Sequence, residues 1–235
     1  MSVSIMDHFM NIYRTQAAEY HRMIEFEDVD GNLKECVQSL LPSEASRVLD
    51  IGSGTGRLPL LLNSAGMEVV GLDLHWAMLQ ENLRQRAQCD GSWALVQGDS
   101  QTLPIRDGYF DVVTAGWVLG HSCAWYTNWM AQLKLVLHEM HRVAGCSAVL
   151  IILETLTTGS DVPMPPTDEL AEFYLWLENK WGFVKREIRT DYSFGNVKEA
   201  KTNMDFFFGE ELTSKITERD WCRVPECTGV WSKMT

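Results

Sequence analysis

Three acids, three alternating glycines and one histidine stand where they could do chemistry together. Asp50-Ile51-Gly52-Ser53-Gly54-Thr55-Gly56 follows the apolar pair Val48-Leu49 and passes at once into amphipathic sequence carrying Leu58, Leu61 and Leu62. This reads as a buried strand, a tight turn and a helix start. The glycines let the backbone approach a ligand where a Cβ would collide. Asp50 ends the strand and could accept hydrogen bonds from a cationic group or an ordered water. Strand carboxyl ends are where open α/β sheets bind ligands. Asp73 lies about 20 residues beyond the turn, the spacing at which an acid accepts from both hydroxyls of a ribose. It could also cap the helix that begins near Trp76. Gly98-Asp99-Ser100 ends a further strand, in residue types that also suit an ordinary turn. His121 comes just past another strand end, and an imidazole titrates near neutral pH. It could equally cap the next helix or bond to backbone.

Two cofactor classes use such a glycine turn. The dinucleotide fingerprint G-x-G-x-x-G needs glycine or alanine at position 57, which is Arg57. The pattern D-x-G-x-G-x-G is present in full and resembles motif I of the class I S-adenosylmethionine-dependent methyltransferases. Phe110-Asp111-Val112-Val113-Thr114-Ala115 followed by Gly116-Trp117 resembles the motif IV strand of the same family. The resemblance covers about residues 48–153. It departs from the family where the usual Pro-Gly-Gly turn is replaced by Val143-Ala144-Gly145-Cys146. It implies a site for S-adenosylmethionine built from Tyr13, Asp50, Gly52, Ser53, Gly54, Gly56, Asp73, Leu74, Met78, Asp99, Ser100, Gly116 and Trp117. In it Asp73 would take the ribose, Asp99 the adenine amino group, and Gly116 would face the methionine end. Met78 and Trp117 could flank adenine or the acceptor, or belong to the core.

The resemblance further implies methyl transfer to a small-molecule acceptor, as in the group related to ubiquinone-biosynthesis-type enzymes. The sulfonium activates the methyl group, so the protein mainly positions the nucleophile and excludes water. A base is needed only where the acceptor must lose a proton. His121 is the first candidate, ahead of Tyr13, Tyr20, Tyr126 and Glu154. No Asn-Pro-Pro-Tyr-type motif follows the fourth strand, so methylation of nucleic-acid bases is not suggested. A protein that holds the cofactor or its demethylated product without turnover, and a protein methyltransferase, stay open as alternatives.

These residues need elements to hold them. A helix is expected over residues 5–25 with Ile5, Phe9, Ile12 and Tyr13 on one face, where it could form a lid. The acids Glu25, Glu27, Asp28 and Asp30 read as a solvated loop. A second helix runs from about 32 to 41. Strands at 47–51, 68–72, 94–97, 110–115 and 148–153 alternate with helices at 57–65, 76–87 and 129–142, the second with Trp76, Leu79 and Leu83 on its apolar face. Residues 155–167 read as a long loop, 168–181 as a helix, 183–192 as a strand, 197–208 as a helix and 221–233 as a strand. The expected fold is α/β: a Rossmann-like, seven-stranded, mostly parallel sheet with helices on both faces and added cap helices. One domain is expected over 1–235, with cap helices in 1–45, a cofactor-binding core in 46–154 and an acceptor-side cap in 155–235.

Composition sets the outer bounds. The chain has 235 residues, 46% of them hydrophobic, and a formal net charge of −12. Its lysines and arginines are scattered, which disfavours nucleic acid and anionic membrane surfaces as partners. The six cysteines match no zinc pattern, so no metal is expected, and they read as reduced thiols of a cytoplasmic protein. Asp7, His8 and Arg14 stand where a signal peptide would need an apolar run. Oligomeric state is not legible.

Overall fold

The structure, a computed structural model, describes residues 5–235, with side chains from residue 7 onward; the expected apolar position of Ile5 therefore lies outside the described side chains. In chain order the elements are α1 (Ile5–Thr15), α2 (Ala17–Ile24), α3 (Asn32–Leu40), β1 (Arg47–Ile51), α4 (Arg57–Ser64), β2 (Glu68–Asp73), α5 (Trp76–Gln88), β3 (Ala94–Gln97) and β4 (Phe110–Gly116). There follow α6 (His121–Trp125), α7 (Trp129–Val143), β5 (Ala144–Thr158), α8 (Asp168–Trp181), β6 (Val184–Arg189), β7 (Tyr192–Ser193), α9 (Val197–Glu218), β8 (Arg223–Val224) and β9 (Glu226–Met234).

Seven strands form one sheet in the order β3-β2-β1-β4-β5-β9-β6. The pairs from β3 to β5 are parallel, while β9 runs antiparallel to both β5 and β6. This is the expected α/β architecture, with its antiparallel part confined to the C-terminal strands. Alternate residues of each strand feed opposite faces. Leu49, Val113, Leu150 and Ile152 pack with Leu133, Leu137 and Met140 of α7 and with Phe173 and Leu177 of α8. Val48, Val112, Val149 and Leu153 pack on the other face with Leu33 and Val37 of α3 and Leu58 and Leu62 of α4. A third cluster joins Met23 and Ile24 of α2 to Met204, Leu212 and Ile216 of α9 and to Tyr192, Phe194 and Val224. β7 and β8 pair as a separate two-stranded ribbon. No described helix is long and apolar enough to cross a membrane.

Several expectations need correction. The N-terminal helix is broken at Gln16 (φ −127°, ψ 34°), which turns the chain between α1 and α2. Helix α5 does not bury Trp76 and Leu83, which are exposed; it buries Met78, Leu79, Glu81 and Asn82. The reason is polar. Asn82 donates to the Gly54 carbonyl (3.1 Å) and accepts from the Trp93 indole (2.8 Å), so the face bearing it turns toward the glycine turn. Strand β5 is longer than expected at both ends and continues to Thr158, paired with β9, so the expected loop begins later. The acidic patch is not simply solvated. Glu27 pairs with Arg57 at 2.6 Å, and Asp28 accepts from the Leu33 N–H at the start of α3. Helix α9 runs to Glu218 across a break at Gly209 (φ 73°, ψ −169°).

Candidate functional site

The glycine turn is built as its residue types require. Gly52, Gly54 and Gly56 all have positive φ (66°, 51° and 103°), a region that costs other residues energy. A Cβ on Gly52 would lie 2.5 Å from Val118 Cγ2, and one on Gly56 would lie 2.7 Å from Asn82 Oδ1. Gly54 is different: the nearest atom to its Cβ position is the Gly52 carbonyl at 3.9 Å, so its open side faces a cavity. The turn is fastened to β2 by the Ser53 N–H, which donates to the Leu72 carbonyl at 2.9 Å.

Two cavities lie over the carboxyl ends of the strands. The smaller has a volume of about 200 Å³ and is bounded by Gly52, Gly54, Asp73, Leu74, Met78, Asp99, Ser100 and Trp125, among others. The larger, of about 620 Å³, is bounded by Phe9, Asp50, Ser53, Glu154, Tyr174, Tyr192, Phe207, Phe208 and Glu226 among others. Tyr13, Tyr20, Gly52, Gly54, Gly116, Trp117 and His121 line both, so the cavities meet there. Of the residues expected in a cofactor site, Gly56 alone lines neither; it shapes the turn and starts α4.

Each acid has a distinct environment. Asp73 is buried, and its two oxygens accept from the Gly54 N–H (2.9 Å) and the His75 N–H (2.7 Å). It makes no helix cap, since the residue at the start of α5 is His75, without a side-chain cap bond. Each carboxylate oxygen keeps a lone pair for a further donor. Burial raises the Asp73 pKa, opposed by those backbone N–H groups. Asp50 is 2% exposed, accepts from the Thr114 hydroxyl at 2.5 Å, and is pushed up by burial to about 7. Asp99 is exposed and accepts from the Gln101 N–H at 2.9 Å through Oδ1. Glu154, on β5, accepts from the Gly120 N–H at 2.8 Å, and burial lifts its pKa to about 8.

His121 opens α6, a helix that went unpredicted, and caps nothing by its side chain. Its Nε2 lies 2.7 Å from the Tyr13 hydroxyl, and its ring stacks on Trp125 with centroids 4.9 Å apart. Phe9 is a further ring neighbour at 5.4 Å. This apolar surround depresses the imidazole pKa to about 4 by desolvation, and burial raises that of Tyr13. The pair is thus a neutral hydrogen bond across α1 and α6. Trp117 takes a left-handed conformation (φ 53°), held by its N–H donating to the Leu153 carbonyl at 2.7 Å, with the Arg57 guanidinium 4.4 Å above its ring. Among other aromatic residues, Trp125 and Tyr126 reach the smaller cavity and Phe207 and Phe208 the larger, while Trp129 packs in the core. His138 and His141 pack against Trp181, away from both cavities.

Sequence reasoning missed Glu27, Asn82, Tyr192 and Glu226. Asn82 carried a faint signal, a polar residue in helical register with Leu79 facing the glycine turn. Glu226 carried none, being one acid near the start of a strand.

Comparison with known proteins agrees with this geometry. Residues 49–152 match a family described as a methyltransferase domain. Malonyl-[acyl-carrier protein] O-methyltransferase of Legionella pneumophila is 29% identical over 164 residues, covering 68% of this chain and 52% of that protein. Demethylmenaquinone methyltransferase of Beutenbergia cavernae is 33% identical over 129 residues, covering 55% and 47%. The chain thus spans about half the length of these curated relatives. Among solved structures, a phosphoethanolamine N-methyltransferase of Haemonchus contortus superposes with a TM-score of 0.61 at 14% identity, over 100% of this chain and 60% of that one. A Bacillus halodurans protein described as a putative methyltransferase gives 0.55 at 16% identity, over 86% and 97%. At such identities the likeness is one of fold. Over residues 49–152, together with the glycine turn and the sheet order, this core is similar to methyltransferase domains.

Proposed function

We propose that this chain transfers the methyl group of S-adenosylmethionine to a small-molecule acceptor. The smaller cavity would take the cofactor and the larger the acceptor. The observation that carries this reading is the meeting of the two cavities at Gly116, Trp117, His121 and Tyr13. The smaller cavity fits the nucleoside end. Asp73 offers acceptor lone pairs for a ribose diol, Met78 and Leu74 offer apolar surface for a base, and Asp99 Oδ2 stands ready for its amino group. Asp50, next to the turn and lining the larger cavity, suits the α-ammonium group of the methionine end. When bound, the cofactor supplies an electrophilic methyl group. The chain's own task is to hold the acceptor in line and keep water out.

The larger cavity is walled by α1, α2 and α9, which favours a small acceptor over a peptide. Scattered basic residues and a net charge of −12 argue against nucleic acid, and the unpaired cysteines suit the reducing cytoplasm. The division into N-terminal cap, core and acceptor-side cap follows the same logic. Two groups near the junction could take a proton from an acceptor. His121 is the primary candidate. Glu154, with a pKa of about 8 in the same cavity, is the second.

Calorimetry tests the reading. S-adenosylmethionine should bind and NAD should not bind comparably. Asp73→Ala, folded by circular dichroism, should lose roughly 1.5–3 kcal/mol of cofactor affinity, the magnitude of hydrogen bonds to a charged group. Preferential NAD binding sinks the assignment, and unchanged affinity removes Asp73 from the site. Methyl transfer to an acceptor in a metabolite screen then separates an enzyme from a protein that only holds the cofactor.

The N-terminal helices are expected to act as a lid. Phe9 and Tyr20 lean on Phe207 of α9 with ring centroids 5.0 and 5.6 Å apart, and Tyr13 and Tyr20 border both cavities. Hydrogen exchange over residues 7–24 should slow when cofactor binds. Equal exchange with and without cofactor counts against closure.

A further inference from the structure

Six buried polar side-chain atoms have no hydrogen-bond partner among the described residues, and four of them, Glu27 Oε1, Ser53 Oγ, Arg57 Nη2 and Glu226 Oε2, belong to residues lining the larger cavity. Such atoms are costly unless a ligand or water completes them. Glu226 is 1% exposed and the Glu27 side chain 4% exposed, so neither is freely solvated. Arg57 is the one Lys or Arg lining this cavity among the described residues, and it is already matched by Glu27 Oε2 at 2.6 Å, to which the Tyr192 hydroxyl also donates at 3.0 Å. Among the described residues no second lysine or arginine lines the cavity to pair with Glu226. Asp50, Glu154 and Glu211 face the same space and add no positive charge. The aromatic rings of Tyr20, Trp117, Tyr192, Phe207 and Phe208 line it too, and ring faces attract cations.

Building on the acceptor role proposed above for this cavity, we infer that the acceptor is an amine whose ammonium group is held by Glu226 and Glu27 beneath this aromatic wall. An anionic acceptor would meet a surplus of carboxyls. A neutral alcohol has a single O–H donor and no charge to offer the two carboxyl groups. An ammonium group has three N–H donors and a charge, and satisfies both. Burial, and then repulsion from Glu27, raise the Glu226 pKa well above its ordinary value, which favours the protonated acid until a cation arrives. An arriving ammonium ion displaces that proton to the buffer.

The test uses the full chain saturated with S-adenosylhomocysteine. It is titrated in a calorimeter with 2-phenylethylamine, 2-phenylethanol and 3-phenylpropionate, in two buffers of different ionisation enthalpy. The amine should bind at least about tenfold tighter than the other two, as expected for a desolvated charge pair with aromatic support. Its binding alone should release protons. Glu226→Gln should reduce amine affinity at least about tenfold and remove the proton release, with S-adenosylhomocysteine affinity unchanged. The wild-type comparison stands by itself if the variant does not fold. Equal or weaker binding of the amine, absence of binding by all three probes, or an unaffected folded Glu226→Gln chain overturns the inference. Failure of S-adenosylhomocysteine to bind defeats the cofactor reading instead. The probes are then titrated into the chain alone, where the same preference for the amine is required.

Discussion

Replacing His121 by alanine is expected to lower turnover by about tenfold to a hundredfold while leaving cofactor affinity nearly intact. A positioned base typically contributes on the order of 10²–10⁴-fold. An imidazole held at about 4 is a weak base, which places His121 at the low end of that range. Its ring also fixes the Tyr13 hydroxyl at 2.7 Å, at the place where the two cavities join. Loss of the ring removes both a proton acceptor and the hold on Tyr13. Tyr13→Phe should therefore reproduce part of the loss, and the double variant should fall short of the product of the single effects. Turnover and cofactor affinity are to be measured separately on one preparation shown to be folded. Wild-type turnover in His121→Ala makes the residue structural and passes the role to Glu154. Loss of cofactor binding alone places it in the nucleoside pocket.

Glu154→Gln is expected to change how stability depends on pH. The folded-state pKa of Glu154 is about 8, against an ordinary value of 4.5, because burial disfavours the carboxylate. The folded chain therefore holds a proton that the unfolded chain has released. The contribution is fully present below about pH 4.5 and is lost as pH rises toward about 8. At 1.36 kcal/mol per pKa unit the whole span is worth up to about 5 kcal/mol. Asp50 is raised to about 7 by burial and acts in the same direction, so the wild type should lose stability across this window from more than one acid. Asp111, held near 2 by Arg47 and neighbouring backbone, acts in the opposite direction and only at lower pH. Glutamine can still accept from the Gly120 N–H and cannot ionise. Urea unfolding from pH 5 to 9 should show a shallower decline for Glu154→Gln than for wild type. Parallel curves would mean that Glu154 is charged in the folded state throughout.

The central alternation of strands and helices was legible because strand runs such as Val48–Ile51 and Val112–Ala115 are short, apolar and closed by glycine or acid. The glycine turn was legible because it needs positive φ three times over. What escaped reading depended on partners distant in sequence. Glu27 looks like surface in a run of acids until Arg57 is brought to it. Trp76 and Leu83 look like a buried stripe until Asn82 claims the inward face. The break at Gln16 has neither glycine nor proline to announce it. Glu226 becomes informative only when β9 is threaded beside β5. Local sequence thus disclosed much of the lining of the smaller cavity, most of which falls within residues 52–136. The larger cavity draws on the N-terminal helices and on residues beyond Glu154; the sequence placed caps there but did not show that Glu27, Tyr192 and Glu226 come together in its wall.

The placement of β9 also bears on how the chain is made. Its neighbours β5 and β6 are both synthesised earlier, yet neither can pair with the other across the gap that β9 fills. While the ribosome is still making α9, β5 presents an open, very apolar edge and β6 has no sheet to join. Sheet closure is therefore a late event in biosynthesis, and the nascent chain passes through a stage in which that edge must be shielded from other chains.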